Sequence, residues 1–352
     1  MLQLLETTYD ELAKLFAEQY EKGPALAKVL YREFFKNLNP EAWQAEEIQA
    51  SPGLADRLRE DLCFTPGKLV DEIRQDGLTK FVTELDDGIR IESVVLPLKT
   101  HQTVCISSQA GCRMGCLFCE TGKLGLVRNL TVEEIVGQVY TARQQYGRSI
   151  RNVVFMGMGE PFDNFDNVIQ AVRVLSDQRG LDIAQRHTTL STAGRVEGLE
   201  KLAALDMPSL NLTVSLNAPN DELRGRLMPI HNTVSLALLQ QTLKNYSLKK
   251  GNWLSIVYVL IPQVNDGPDH ARQLADWLQP LRAKVNLIPF NPGKNSPFRP
   301  PSQEETDRFR QRLIELRVNV QKRAPRGRDL MAACGQLGSG IIHHEGRNFR
   351  RR

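Results

Sequence analysis

Cys105-Ile106-Ser107-Ser108-Gln109-Ala110-Gly111-Cys112-Arg113-Met114-Gly115-Cys116-Leu117-Phe118-Cys119 is the stretch on which the reading of this chain turns. It ends in a Cys-x3-Cys-x2-Cys triplet, Cys112, Cys116 and Cys119, entered from the β-branched residues Val104 and Ile106 and left through Glu120-Thr121-Gly122. Three thiolates at this spacing can hold a metal centre and leave one coordination position open. A closed structural zinc site takes four protein ligands, and an iron–sulfur cube has four irons to fill. Two readings of the residues stand side by side: Cys105 as a fourth ligand, or a fourth position filled from outside the chain.

The 352 residues are 41% hydrophobic and 24% charged, which suits a soluble α/β barrel-like domain with a small extra module. Acidic Glu6 follows Met1 too soon for a signal peptide, and no apolar run reaches membrane-spanning length, so the expected location is the cytoplasm. In that reducing setting six cysteines are expected as ligands or reactive thiols, not as a disulfide framework. The net charge of +4 decides little. Its distribution says more, with one basic cluster at Lys322-Arg323-Ala324-Pro325-Arg326-Gly327-Arg328 and another at Gly346-Arg347-Asn348-Phe349-Arg350-Arg351-Arg352. These are either solvated segments or phosphate contacts.

Residues 1–75 read as a helical accessory domain. Apolar residues at three-four spacing mark Asp10–Tyr20 and Ala25–Asn37, and a shorter helix covers Gly53–Leu62. Over 76–98 the period changes to two, predicting a β-hairpin that turns at Asp86-Asp87-Gly88 and links to the main domain. From 99 to 340 strand and helix alternate, with helix Thr131–Tyr146 opened by the capping box Thr131-x-x-Glu134. Six strand–helix units and a last strand at Val318–Gln321 predict a partial, open (β/α)6 barrel of parallel strands. Residues 341–352 form a basic tail.

Ligands of parallel α/β folds bind at the carboxyl ends of the strands. There this chain places Gly157-Met158-Gly159-Glu160-Pro161, Leu190-Ser191-Thr192, Ser215-Leu216-Asn217-Ala218-Pro219 and Ile288-Pro289-Phe290-Asn291. Each loop alone reads as a turn or a cap. Together, beside a cysteine triplet, they read as one small-molecule site in which two glycines admit a ligand to the backbone and Glu160 pairs with an ammonium group. A dinucleotide loop is a weak reading of the same residues, since Phe162 stands where its third glycine belongs.

The triplet followed by Gly-Met-Gly-Glu-Pro resembles the radical-SAM superfamily. Val104 to Cys112, Arg128-Asn129-Leu130, Met156 to Pro161, Leu190-Ser191-Thr192, Ala218-Pro219-Asn220-Asp221-Glu222, Val264-Asn265-Asp266-Gly267 and Ala332-Ala333-Cys334-Gly335-Gln336-Leu337 together resemble the RlmN/Cfr family of RNA adenine methyltransferases, colinearly from Glu92 to Leu337. That resemblance implies a 4Fe–4S cluster on Cys112, Cys116 and Cys119 whose open iron binds S-adenosylmethionine. It implies a cofactor site of Gly159, Glu160, Ser191, Ser215, Leu216, Asn217 and Asn291. Cys334 then becomes the S-methylcysteine intermediate, Cys105 the resolving thiol that forms a transient disulfide with it, and Glu92 the proton acceptor. Methyl acceptance by Cys334 calls for a lowered thiol pKa, and bridging calls for α-carbons within about 7 Å.

The implied reaction adds a methyl group to a ring carbon of adenine in ribosomal or transfer RNA, carbon 2 in preference to carbon 8. The implied partners are RNA, gripped by Lys322, Arg323, Arg326, Arg328 and the final arginines, and an electron donor such as flavodoxin or ferredoxin. The expected state is a monomer. Asn217 replaces the family's usual His, and Glu120-Thr121-Gly122-Lys123 replaces its usual Ser-Thr-Ala, which marks a divergent subgroup. Cys63 matches nothing and reads as a buried apolar residue. The competing functions are a zinc-stabilised RNA-binding protein using four cysteines, and a radical-SAM enzyme with another substrate.

Overall fold

The computed structural model describes residues 1–147, 149–229, 234–246, 252–293, 296–323 and 326–338. The chain opens with strand β1 (Leu2–Gln3), helices α1 (Tyr9–Tyr20), α2 (Pro24–Phe35), α3 (Glu46–Gln49) and α4 (Leu54–Asp61), and strand β2 (Leu62–Cys63) paired with β1. Thr8 and Glu11 cap α1 reciprocally, and Pro24 starts α2. Next come β3 (Lys68–Gln75), β4 (Leu78–Glu84), β5 (Arg90–Pro97) and β6 (Gln102–Cys105). The cysteine segment follows as β7 (Gln109–Cys112), α5 (Glu120–Leu124) and β8 (Gly125–Asn129).

Six crossovers then alternate: α6 (Val132–Tyr146), β9 (Ile150–Phe155), α7 (Phe165–Ser176), β10 (Thr188–Thr192), α8 (Val196–Ala203), β11 (Asn211–Ser215), α9 (Asp221–Leu227), α10 (Leu236–Asn245), β12 (Leu254–Leu260), α11 (Pro268–Leu278), β13 (Ala283–Pro289), α12 (Gln303–Glu315) and β14 (Val320–Lys322). One sheet runs β14-β13-β12-β11-β10-β9-β6-β5-β4-β3. Its members from β6 to β14 are parallel, and β5, β4 and β3 extend it antiparallel from β6. The two edges, β14 and β3, do not pair, so the expected open, partial barrel is what forms. Its strands are rich in Val, Ile and Leu, as strands buried on both faces are.

Within the main sheet the sequence hid β3, which lies inside the stretch expected to be helical. Its sequence KLVDEIRQ is mostly exposed, and charge suits an edge strand that must not recruit another chain. A small antiparallel pair, β7 with β8, was also not expected and carries the first cysteine.

The N-terminal helices share one continuous core with the barrel. Phe34 of α2 packs on Tyr140 of α6 with ring centroids 5.0 Å apart, and Phe64 meets both rings. Such aromatic pairs contribute roughly 0.5–1.5 kcal/mol beyond burial. The Tyr9 amide donates to Asp177 at 2.7 Å, and Thr65 donates to Glu133 through both its amide and its hydroxyl. Cys63 is half-buried on β2, not a core residue. Among the described residues no helix is long and apolar enough to cross a membrane.

Candidate active site at the carboxyl end of the sheet

The cysteine loop is shaped by β7 pairing with β8, which puts Cys112 opposite Gly125. Gly111 has φ +79°, and a Cβ there would lie 1.9 Å from the Gly125 carbonyl oxygen, so only glycine allows this register. A tight turn follows, in which the Cys119 amide donates to the Cys116 carbonyl at 3.1 Å. Burial pushes the Cys112 thiol up to about 12, with the Met114 backbone opposing and the Cys119 charge reinforcing the shift. Burial also raises Cys116 far above an ordinary thiol, and the charges of Cys119 and then Cys112 add to it. Three buried thiols this close together call for a cationic centre to hold them as thiolates.

Among the described residues no three His, Cys, Asp or Glu side chains are set for a single metal ion. A cube instead gives each thiolate its own iron, which spreads the ligands apart. Three cysteines on one turn fit a cube that keeps its fourth iron open to a ligand from outside the chain. Cys105 does not join the triplet; it ends β6 and lines a cavity of about 610 Å³ together with Cys334.

That cavity is the lumen of the half-barrel, lined by side chains from every parallel strand. Cys334 is exposed to it, whereas Cys105 is buried in its wall. Burial holds the Cys105 thiol far above its ordinary value, and the charge of Cys334 raises it further. The two thiols are free, so the expected disulfide is not formed here. The expected lowering of the Cys334 pKa is also not found. Enclosure by protein raises it, Cys119 raises it further, and among the described residues no cationic side chain offsets them.

Glu92 is not the exposed strand carboxylate that its pattern permits. It is 1% exposed, its Oε1 lies 2.8 Å from Lys80 Nζ, and its Oε2 accepts from the Gly338 amide at 2.6 Å. Lys80 also donates to the Met331 carbonyl at 3.1 Å. The pair thereby clamps both ends of the segment that carries Cys334. A second anchor ties this segment to the cysteine loop, since the Glu120 amide donates to Gly335 and the Thr121 hydroxyl to Leu337, each at 2.7 Å.

Glu160 sits between β9 and β10, accepting from the Phe162 amide at 3.0 Å and the Ala193 amide at 2.7 Å. Burial nonetheless raises its carboxyl to about 7, which leaves it short of one positive partner. Gly159 and Gly157 also admit a close approach of the chain itself. A Cβ on Gly159 would lie 2.7 Å from the Gln109 amide nitrogen, and one on Gly157 2.6 Å from the Ile106 carbonyl oxygen. They let the cysteine strand cross over the loop. Ser191 and Ser215 end neighbouring strands and are half-buried, whereas Leu216 is fully buried and offers only backbone.

Asn217 takes φ +60°, a left-handed conformation that Asn tolerates better than most residues. Its Oδ1 accepts from the Val259 amide at 3.0 Å, so the side chain links β11 to β12. Asn291 is buried and its Oδ1 accepts from Arg328 Nε at 3.2 Å.

The residues expected as a phosphate grip stand at the rim of the cavity, with Arg323 and Arg326 exposed. Lys322 pairs with Asp307 at 2.7 Å, Arg323 donates to Asn286 at 2.9 Å, Arg326 to the Pro97 carbonyl at 2.6 Å, and Arg328 to Asn291. Their chain position, following the last sheet strand, folds them over the cavity mouth. The basic tail 341–352 lies outside the described residues. Four contributors were assigned no role from the sequence: Gln109, whose Oε1 accepts from the Glu160 amide, and Asn265, which ties Asn217 to Ile261, stand in quoted motifs, whereas Lys80 and Arg224 stand in none. Arg224 reads as surface charge in the short helix DELRGRL but is 1% exposed, and burial draws its guanidinium down to about 10, still charged at neutral pH.

Residues 106–278 match the Radical SAM superfamily model, so the open barrel with its three-cysteine loop defines a radical SAM enzyme that uses a 4Fe–4S cluster and S-adenosylmethionine. The chain is 41% identical over 340 residues to the probable dual-specificity RNA methyltransferase RlmN 1 of Protochlamydia amoebophila, covering 96% of this chain and 94% of that one. It is 41% identical over 344 residues to the dual-specificity RNA methyltransferase RlmN of Geobacter sulfurreducens, covering 96% and 92%. A radical SAM methyltransferase from Sphaerobacter thermophilus shares the fold with a TM-score of 0.88 at 36% identity, over 96% of this chain and 100% of that one. This chain belongs to the RlmN family of radical SAM methyltransferases.

Proposed function

We propose that this protein methylates RNA at carbon 2 of an adenine, with Cys334 carrying the methyl group in transit and Cys105 resolving the product. The observation that supports this most is the placement of Cys334. Its segment is hydrogen-bonded to the residue after Cys119, and its thiol opens on the cavity that Cys105 also lines. A methyl carrier needs that position between a radical source and a substrate-sized space.

Cys112, Cys116 and Cys119 would hold the cluster, and Gly159, Glu160, Ser191, Ser215, Leu216, Asn217 and Asn291 would bind S-adenosylmethionine, Glu160 taking its ammonium group. The bound cluster and cofactor supply the one-electron chemistry that reaches a ring carbon too unreactive for polar methyl transfer. The remaining work belongs to the chain. Cys334 sulfur would accept a methyl group, and that carbon, after giving up one hydrogen atom to the one-electron chemistry, would bond to the adenine, which then loses one electron to the same chemistry and its ring proton. The Cys105 thiolate would attack Cys334 sulfur, forming a disulfide, while the carbon–sulfur electron pair passes to the carbon, which takes up a proton to complete the methyl group. Glu92 receives the ring proton only if Lys80 yields its hold, so the ion pair is read here first as the clamp of the Cys334 segment. RNA and an external flavodoxin or ferredoxin are the proposed partners, and the helical residues 1–61 together with the tail the proposed RNA contacts.

Peptide mass analysis of Cys334 in protein made with S-adenosylmethionine available decides the reading. An added methyl group on Cys334 supports it, and an unmodified Cys334 in protein that methylates RNA would sink it. Digestion of the product RNA then separates 2-methyladenine from 8-methyladenine.

A further inference from the structure

Arg224 is a buried cation that pairs with no carboxylate among the described residues. It lies in the middle of α9 and is 1% exposed, yet it forms no ion pair among the described residues. Its Nη2 donates to the Ala193 carbonyl at 2.7 Å and its Nε to the Leu216 carbonyl at 3.3 Å, while Nη1 has no hydrogen-bond partner at all. Asp221, the nearest carboxylate along the helix, is turned to the Leu236 amide at 2.7 Å. A buried guanidinium with free donors is costly unless an anion meets it, because desolvation removes the water that would otherwise satisfy it.

The position of the fork says which anion is missing. Ala193 follows β10 and Leu216 follows β11, so both carbonyls belong to the loops at the carboxyl ends of those strands. One turn beyond Arg224, the Leu227 carbonyl accepts from the Leu117 amide at 3.0 Å, which packs α9 directly on the cysteine turn between Cys116 and Cys119. After that of Asp221, the charge that acts on Arg224 is that of Cys116. A cube held by three thiolates is a net anion, and it gains a further negative charge when it accepts an electron.

We propose that Arg224 is a positioning residue whose guanidinium neutralises the cluster at its Cys116 corner and so eases the cluster's reduction. The inference rests on the cluster reading above. A lysine keeps the charge but not the planar fork that braces two carbonyls, whereas a glutamine keeps polarity without charge.

The test compares wild type, Arg224→Lys and Arg224→Gln, each reconstituted anaerobically, by iron and sulfide content and by potentiometric titration followed by electron paramagnetic resonance without S-adenosylmethionine. Arg224→Gln should disfavour reduction at least tenfold, a midpoint about 59 mV more negative for one electron, and Arg224→Lys should stay near wild type. Loss of the cluster from Arg224→Gln alone also supports the proposal. An unchanged midpoint in fully loaded Arg224→Gln overturns it. So does an equal shift or equal cluster loss in both variants, which would make Arg224 a mere strut. A shift seen only with S-adenosylmethionine present overturns it in favour of a cofactor carboxylate as the anion. Wild-type protein that takes up no iron and sulfide overturns the cluster reading itself, and this inference with it.

Discussion

The Glu120 amide donates to the Gly335 carbonyl at 2.7 Å, joining the residue after the third cysteine of the triplet to the residue after Cys334. Two segments more than two hundred positions apart in the chain are thereby held in one site. The bond uses backbone atoms only, so no side-chain pattern announces it. It fixes Cys334 beside the cluster loop while its thiol stays open to the cavity.

Breaking the Lys80–Glu92 pair should loosen that arrangement from the other side. Lys80→Met leaves Glu92 buried and uncompensated, and loss of one partner from a buried pair costs about 3–5 kcal/mol. Urea melts should show that loss, and the Cys334 segment should become more open to proteolysis. Replacing both residues by apolar ones should recover part of the stability, whereas a stability unchanged in Lys80→Met would show that the pair is not a clamp.

Cofactor affinity should depend on the protonation of Glu160, whose carboxyl burial has raised to about 7. An ammonium group is held by the carboxylate, so affinity should fall about tenfold for each pH unit below 7 and level off above it. The same shift makes the unliganded protein less stable as pH rises from the ordinary carboxyl value of 4.5 towards 7, since the unfolded chain ionises first. Equilibrium dialysis of cluster-loaded protein checks the first statement. Glu160→Gln should bind weakly with a flat profile, and an equally steep profile in that variant would exonerate Glu160.

Arg328 is expected to act on the cofactor and not on RNA phosphates, because its Nε holds Asn291 and its guanidinium also reaches the Phe290 carbonyl at 3.1 Å. Arg328→Ala should weaken S-adenosylmethionine binding roughly tenfold, about the 1.4 kcal/mol of one such hydrogen bond. The slope of RNA affinity against salt should stay as in wild type. A shallower slope with unchanged cofactor affinity would return Arg328 to the phosphate grip.

Gly111→Ala should prevent cluster assembly. The left-handed backbone at φ +79° costs an alanine about 1–2 kcal/mol, and the approach of the Gly125 carbonyl forces β7 away from β8. Iron and sulfide per chain should drop to a small fraction of wild type. Far-ultraviolet circular dichroism should change little, because these two strands stand outside the main sheet.

Much of this protein was legible from local pattern. The strand–helix alternation, the capping box at Thr131 and Glu134, the open barrel and the three-cysteine loop all depend on residues a few positions apart, where spacing and side-chain type are the physics. The edge strand Lys68–Gln75 was hidden because an exposed edge needs no apolar alternation. What only the tertiary structure decided are the pairings across the sheet. Glu92 meets Lys80 on the adjacent strand and Gly338 far along the chain, Gly159 yields to Gln109, and Arg323 and Arg326 come to the rim of the cavity. Burial is a property of the folded chain: it turns Arg224, one charge among several in a short helix, into an enclosed cation with no ion pair among the described residues.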